Sequence, residues 1–271
     1  MAGAFSFKID DSEFRSSLRQ YALAMQISFA EAIKRQARLV AVNLAFQTQP
    51  FGDVKGKQQG ENAVWSDLMP KEGSNKGIFK PISKYWLNEA TRMKQYAPEN
   101  FQRRFTNKDG NVWLSEEDQI LTTKGAIKSF HQSMRTRDRK RTSMAGSYTR
   151  DIGRHKAGNR GIVDKDQVIA YVKQVQKKVG IAKAGWAHCA KQLGGSRGIP
   201  QWVTRHAGKK AIGLVTDNTN ARGDEQYVLM ENTVPWIDKC LNGGQLQRAL
   251  DIQRDKMNTA IEIALAQAAT A

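Results

Sequence analysis

Cysteine is nearly missing from this 271-residue chain, which holds only Cys189 and Cys240. Two cysteines cannot build a disulfide scaffold, and neither stands at metal-ligand spacing, so a reducing compartment is expected. Histidine is scarce too. His131, His155, His188 and His206 form no i, i+4 pair and no carboxylate-flanked arrangement, which removes the common zinc motifs. Long apolar runs are also absent. None approaches the ~20 residues that span a bilayer, so no membrane partner is expected. The opening "MAGAFSFKIDDSEF" lacks the charged-then-apolar order of a secretory signal. Acids are few beside bases: 26 Asp and Glu against 43 Lys and Arg, a net charge of +17. Such a balance predicts contact with something anionic.

What is present allows a real core. The chain is long enough for one large domain or two modest ones and is 40% apolar, while a mean hydropathy of -0.59 keeps much of its surface polar. The charge is concentrated. From Lys124 to Arg160 there are eleven Lys and Arg against two Asp, a net +9 in 37 residues. The stretch is rich in Ser, Thr and Gly and reads as an exposed arm without core residues. Arg135, Arg137, Arg139, Lys140, Arg141, Arg150 and Arg154 are its candidate contacts to an anionic partner. A solvated loop touching only water is the bland alternative.

Periodicity outlines the rest. Phe14, Leu18, Tyr21, Met25, Phe29, Ala32, Gln36, Leu39, Asn43 and Phe46 share one helical stripe, with Asp11 or Ser12 as N-cap. A helix continuous to Phe46 would be about 50 Å long. Its two polar members, Gln36 and Asn43, argue against a dry seam throughout. From Gly52 to about Gly77 the chain is polar, glycine-rich and aperiodic. A short helix is expected between Pro81 and Pro98, and "SEEDQILTTKGAIKSFHQSM" offers one or two turns with acids at the start. "DKDQVIAYVKQVQKKVG" has helical phase, with Asp164 as N-cap and Gln167 completing a capping box. "AIGLV" and "EQYVLMEN" read as two strands of an extended hairpin, and "GGQLQRALDIQRDKMNTAIEIALAQAATA" as a final helix carrying Leu246 and Leu250. The expected fold is α+β: long N- and C-terminal helices on a small antiparallel sheet. One domain over 1–271 is expected, its core at 1–49 and 162–271, with a loop-rich insertion at 50–161 and the basic arm at 124–160.

Residues 178–206 pack two Trp, two His, one Cys and five Gly into one short stretch, which invites a catalytic reading. His188 and Cys189 are adjacent, however, and on a helix would point about 100° apart, unable to pair as base and nucleophile. A small buried hydrophobe is the favoured reading of Cys189. "GDVKGKQ" is one residue short of a phosphate loop and has Gln58 where Ser or Thr should hold the metal. Glu116, Glu117 and Asp118 read as a helix first turn, and Arg222-Gly223-Asp224 as a hairpin tip. The six Trp are scattered outside the basic arm and read as packing anchors before base-stacking platforms. No enzyme, cofactor or metal is therefore expected.

The order of blocks carries a resemblance. A long first helix ends in an Ala/Gln-x-Gln-Pro-Phe-Gly stretch, Ala45 to Gly52. "VGIAKAGWAHCAKQLG", "IPQWVTRH", "YVLMENTVPWI" and a C-terminal helix follow. This order resembles the minor tail and tail-completion (neck) proteins of tailed bacteriophages, including the minor tail protein Z-like group. Of that family's Ala-Pro-x-Asp-Thr-Gly turn, Pro50, Gly52 and Asp53 are present in altered order and the Thr is absent. The resemblance covers about the first 50 and last 110 residues and leaves out the basic arm. It implies a non-enzymatic virion protein, assembled in the host cytoplasm, that forms a hexameric or dodecameric ring joining head to tail. Implied partners are copies of itself, portal or head-adaptor proteins, tail-tube proteins and packaged DNA held non-specifically. Trp186, Trp202, Gly185, Leu246 and Leu250 would then be subunit-packing residues. The rival reading is a sequence-nonspecific nucleic-acid-binding protein.

Overall fold

The computed structural model describes residues 12–51, 54–69, 77–106, 108, 113–115, 117–141, 160–208, 213–221 and 226–270. The architecture is mostly helical with small sheets, a loose α+β class. The chain forms two compact units: residues 1–60 with 179–271, and residues 61–178 between them. The sequence reading had placed the insertion at 50–161 within one domain.

In the first unit, the single long helix expected from Asp11 to Phe46 is two helices, α1 (Ser12–Ala24) and α2 (Phe29–Gln47). Gln26 takes a left-handed φ of 54° between them, which no straight helix accommodates. Ser28 restarts the chain by accepting from Glu31 N at 3.1 Å, the S-x-x-E cap pattern. The apolar stripe survives the break because Leu18 and Tyr21 of α1 and Ala32 and Ile33 of α2 enclose one cluster with Met257. Met257 belongs to α10 (Gly243–Thr270), which begins in a reciprocal box: Asn242 N donates to Gln245 Oε1 at 2.7 Å, and Gln245 N to Asn242 Oδ1 at 3.0 Å. Where the stripe turns polar, amides pair across the two helices. Gln253 Nε2 donates to Gln36 Oε1 at 2.6 Å and Asn43 Nδ2 to Gln253 Oε1 at 3.1 Å, with all three residues buried. The expected hairpin is present: β4 (Gly213–Asp217) pairs antiparallel with β5 (Val228–Asn232), Val215 opposite Met230.

The second unit is not the loop-rich insertion the sequence implied. The stretch after Gly52 forms α3 (Val54–Leu68), whose residues through Gly60, Gly56 included, still belong to the first unit. Gly56 serves close packing: a Cβ there would lie 2.2 Å from the Phe51 carbonyl oxygen. Three short strands, β1 (Phe79–Ile82), β2 (Gln119–Leu121) and β3 (Gly161–Asp164), then form a parallel sheet with β3 in the middle. Alternation along each strand sends Ile82, Ile120 and Ile162 to one face, against α4 (Lys84–Tyr96) and α5 (Phe101–Arg104). Phe79, Leu121 and Val163 face α6 (Lys124–Arg141) and α7 (Lys165–Gln176) on the other.

Two expectations fail here for physical reasons. Of the acids at 116–118, Glu116 lies outside the described residues and Glu117 and Asp118 do not start a helix; buried Asp118 instead accepts from Ser115 N and Arg160 N, both at 3.0 Å, tying two loops at the sheet edge. The basic arm also does not lack core residues. Its first half is helix α6, whose Ile127, Phe130 and Met134 are buried. One apolar stripe is enough to dock a helix, whatever its net charge. Asp164 caps α7 as expected, accepting from Asp166 N and Gln167 N, but the Gln167 side-chain oxygen returns no bond.

Candidate functional site

The block that promised chemistry folds into α8 (Ile181–Gln192), a glycine-rich turn and α9 (Gln201–Thr204). Gly180 precedes α8 with a φ of +96°, and a Cβ on it would lie 2.5 Å from the Trp202 ring. Glycine is required twice over there. A Cβ on Gly185 would meet Asn232 Oδ1 at 2.3 Å, and one on Gly213 would meet the Gly185 oxygen at 2.2 Å. The β4–β5 hairpin therefore lies directly on the α8 backbone, fastened where Asn232 Nδ2 donates to Ala182 O at 2.7 Å.

The five residues expected at subunit contacts also take part in packing within the chain. Trp186 and Trp202 are buried in the chain's own core, and Leu246 and Leu250 of α10 pack against the same cluster. With Gly185 under the hairpin, all five are engaged inside one chain. Small residues do permit close approach, but what approaches is the hairpin of the same molecule.

Cys189 is fully buried beside the carbonyl oxygens of Leu214 (3.5 Å) and Glu231 (3.6 Å). Burial pushes its thiol up to about 11, so the thiolate needed for nucleophilic work is not formed near neutrality. The adjacent His188 Nδ1 is buried and bonds to no described residue, Cys189 included.

The residue that sequence reasoning missed is Lys183, the lone charge in an apolar stretch of α8. It is 2% exposed. Its Nζ donates to Ala45 O at 2.7 Å and lies 5.9 Å from the ring centroids of both Phe46 and Trp202. The ammonium thus caps the carboxyl end of α2, where unpaired carbonyls favour a cation. Burial lowers its pKa to about 8, against an ordinary value of 10.5. Between those values the unfolded chain binds more protons than the folded one, so stability should rise with pH across that window. The gain expected is about 3 kcal/mol at most. Lys80, lowered to about 8 by burial and by Arg160, titrates in the same window. The difference between parent and Lys183→Met in denaturant titrations at pH 7.0 and 10.5 isolates Lys183. Equal pH slopes in the two proteins would contradict this assignment.

The remaining predicted contacts divide. Arg135, Arg137, Arg139, Lys140 and Arg141 lie in the C-terminal half of α6. Arg150 and Arg154 lie outside the described residues. Among the described residues no group of three or more His, Cys, Asp or Glu is placed to hold a metal ion, and no helix is long and apolar enough to cross a membrane. Comparison of the chain with protein-family models, curated proteins and solved structures finds no match.

Proposed function

We propose that the chain is a non-enzymatic structural subunit of a tailed-phage virion that forms a ring at the head–tail junction and joins head to tail. The ordered blocks that resemble tail-completion proteins support this reading. The structural observation that carries it is a division of labour in the first unit. Residues with chemical potential are engaged in internal packing, while large apolar side chains stay in water. Ile263 and Leu265 are exposed near the end of α10, and Leu214 and Leu229 on the hairpin's outer side. Large apolar side chains left in water are available to a partner, and identical neighbours around a closed ring would cover them. Head-adaptor or portal proteins above, tail-tube proteins below and packaged DNA are the further partners of such a ring.

The test is assembly. Sedimentation and electron microscopy of the purified chain should show closed rings of six or twelve copies (~6 or ~12 by the closed-ring rule). Ile263→Asp with Leu265→Asp should yield folded monomers, because a charge on each contact forbids its burial. A parent chain that stays monomeric at high concentration and does not join tails would overturn the reading.

One observation favours the second reading, non-specific nucleic-acid binding. Residues 61–178 carry 24 Lys and Arg against 13 Asp and Glu, so +11 of the +17 resides in one unit. A steep fall of DNA affinity with salt in the isolated monomer would support it.

A further inference from the structure

Helix α4 carries Tyr85, Glu89, Arg92 and Tyr96 at i, i+4, i+7 and i+11. That spacing returns to one side of a helix at each turn, giving a stripe about 16 Å long. Its rings stand in solvent: Tyr85 is 66% exposed and Tyr96 73%. The Arg92 side chain between them is 64% exposed. A second aromatic tier flanks the stripe. Trp86 meets Tyr85 edge-on with centroids 5.2 Å apart, and Trp113 in the same manner at 5.4 Å. Both tryptophans rest on buried Phe105, at 6.2 and 5.2 Å. The Arg104 guanidinium lies over Trp86 at 5.3 Å.

The one acid in the stripe is already engaged. Glu89 accepts from Arg92 through both oxygens, at 3.2 and 3.1 Å, and Arg104 Nε lies 3.6 Å away. Arg92 holds its carboxyl below the ordinary range. One carboxylate faces two guanidinium groups, leaving the stripe cationic. Packing of α4 on α5 accounts for Trp86, Glu89 and Arg104. It does not account for two tyrosines that bury little, lined up on either side of an arginine.

We propose that this α4–α5 surface binds single-stranded nucleic acid, with Tyr85 and Tyr96 stacking on bases and Arg92 and Arg104 contacting the phosphates between them. Free aromatic faces along a cationic track are the general means of holding an unpaired strand. Planar guanidinium forks match phosphate oxygens. A duplex hides its base faces within the stack and would leave the tyrosines without their partners. An acidic protein would engage the arginines alone. The assignment does not depend on the virion reading, and it puts the nucleic-acid contact on α4 instead of the basic run after Met134.

The full chain is tested by fluorescence anisotropy with labelled oligothymidine and with a duplex of equal length, across a salt series. Tyr85→Ala and Tyr96→Ala should each weaken oligothymidine binding about 5- to 100-fold, while Tyr→Phe at either position should restore it. Arg92→Gln should lower the slope of log affinity against log salt by roughly 0.7. Duplex affinity should change little in the tyrosine variants. In a measurement free of substitution, ultraviolet crosslinking of the parent to oligothymidine should mark peptides containing Tyr85 or Tyr96. Three results would each overturn the proposal. The first is undiminished oligothymidine affinity in a folded Tyr85→Ala/Tyr96→Ala double variant. The second is crosslinking confined to residues 124–160. The third is an equal loss of binding to phosphatidylserine vesicles in that variant, which would make the surface a membrane contact.

Discussion

Trp202→Ala should lower the free energy of unfolding by about 3–5 kcal/mol, the cost of emptying a buried tryptophan site. Three parts of the first unit meet this ring. It lies against Gly180 at the entrance to α8, over the Lys183 ammonium, and in the cluster formed with Leu44, Trp186 and Leu241. Without it, Lys183 loses an aromatic face and gains water, so its pKa should move back toward the ordinary lysine value as burial is relieved. The variant should therefore combine a large loss of stability with a weaker dependence on pH between 8 and 10.5. Equilibrium denaturation at two pH values reads both effects. A loss below ~1 kcal/mol would show that the ring sits on the core without sealing it.

Gln253→Ala should cost nearly as much by another route. Its amide is the middle of a buried chain, accepting from Asn43 and donating to Gln36. Truncation leaves the Gln36 oxygen without that donor and Asn43 with only its 3.4 Å bond to Ala249 O. Each buried polar group left unpaired costs about 1–3 kcal/mol, and the vacated volume adds to that. Replacing Gln36, Asn43 and Gln253 together by leucine removes the polar atoms as a set and should cost less than the single truncation. The triple variant should pair α2 with α10 less uniquely, since an apolar seam does not discriminate a slip by one turn. Denaturation reports the first effect, and broadened amide resonances in the two helices report the second. A single variant as stable as the parent would show that water replaces the lost partner at no cost.

Features that reside in a few consecutive residues were legible in the sequence. The cap of α7 at Asp164, the β4–β5 hairpin and the final helix were all readable, because caps, turns and the 3.6-residue period are short-range. The polar interruption of the first stripe at Gln36 and Asn43 was readable too, although its partner Gln253 was not. Even the break at Gln26 left a local trace in Ser28 and Glu31, overridden by an apolar stripe that two helices share. Only the tertiary structure decided the parallel sheet, since strands of three and four residues are too short for a recognisable apolar–polar pattern in the sequence and their partners lie far along the chain. It also decided that α6 is core-bound: averaged charge hides a single stripe of Ile127, Phe130 and Met134. The same holds for the sites. Lys183 has the composition of any lysine until α2, Phe46 and Trp202 close over it. Tyr85, Trp86, Trp113 and Arg104 become one surface only when α4, α5 and the Trp113 loop meet. Burial and long-range contact set the dielectric and the neighbours of a side chain, and neither is written in its local sequence.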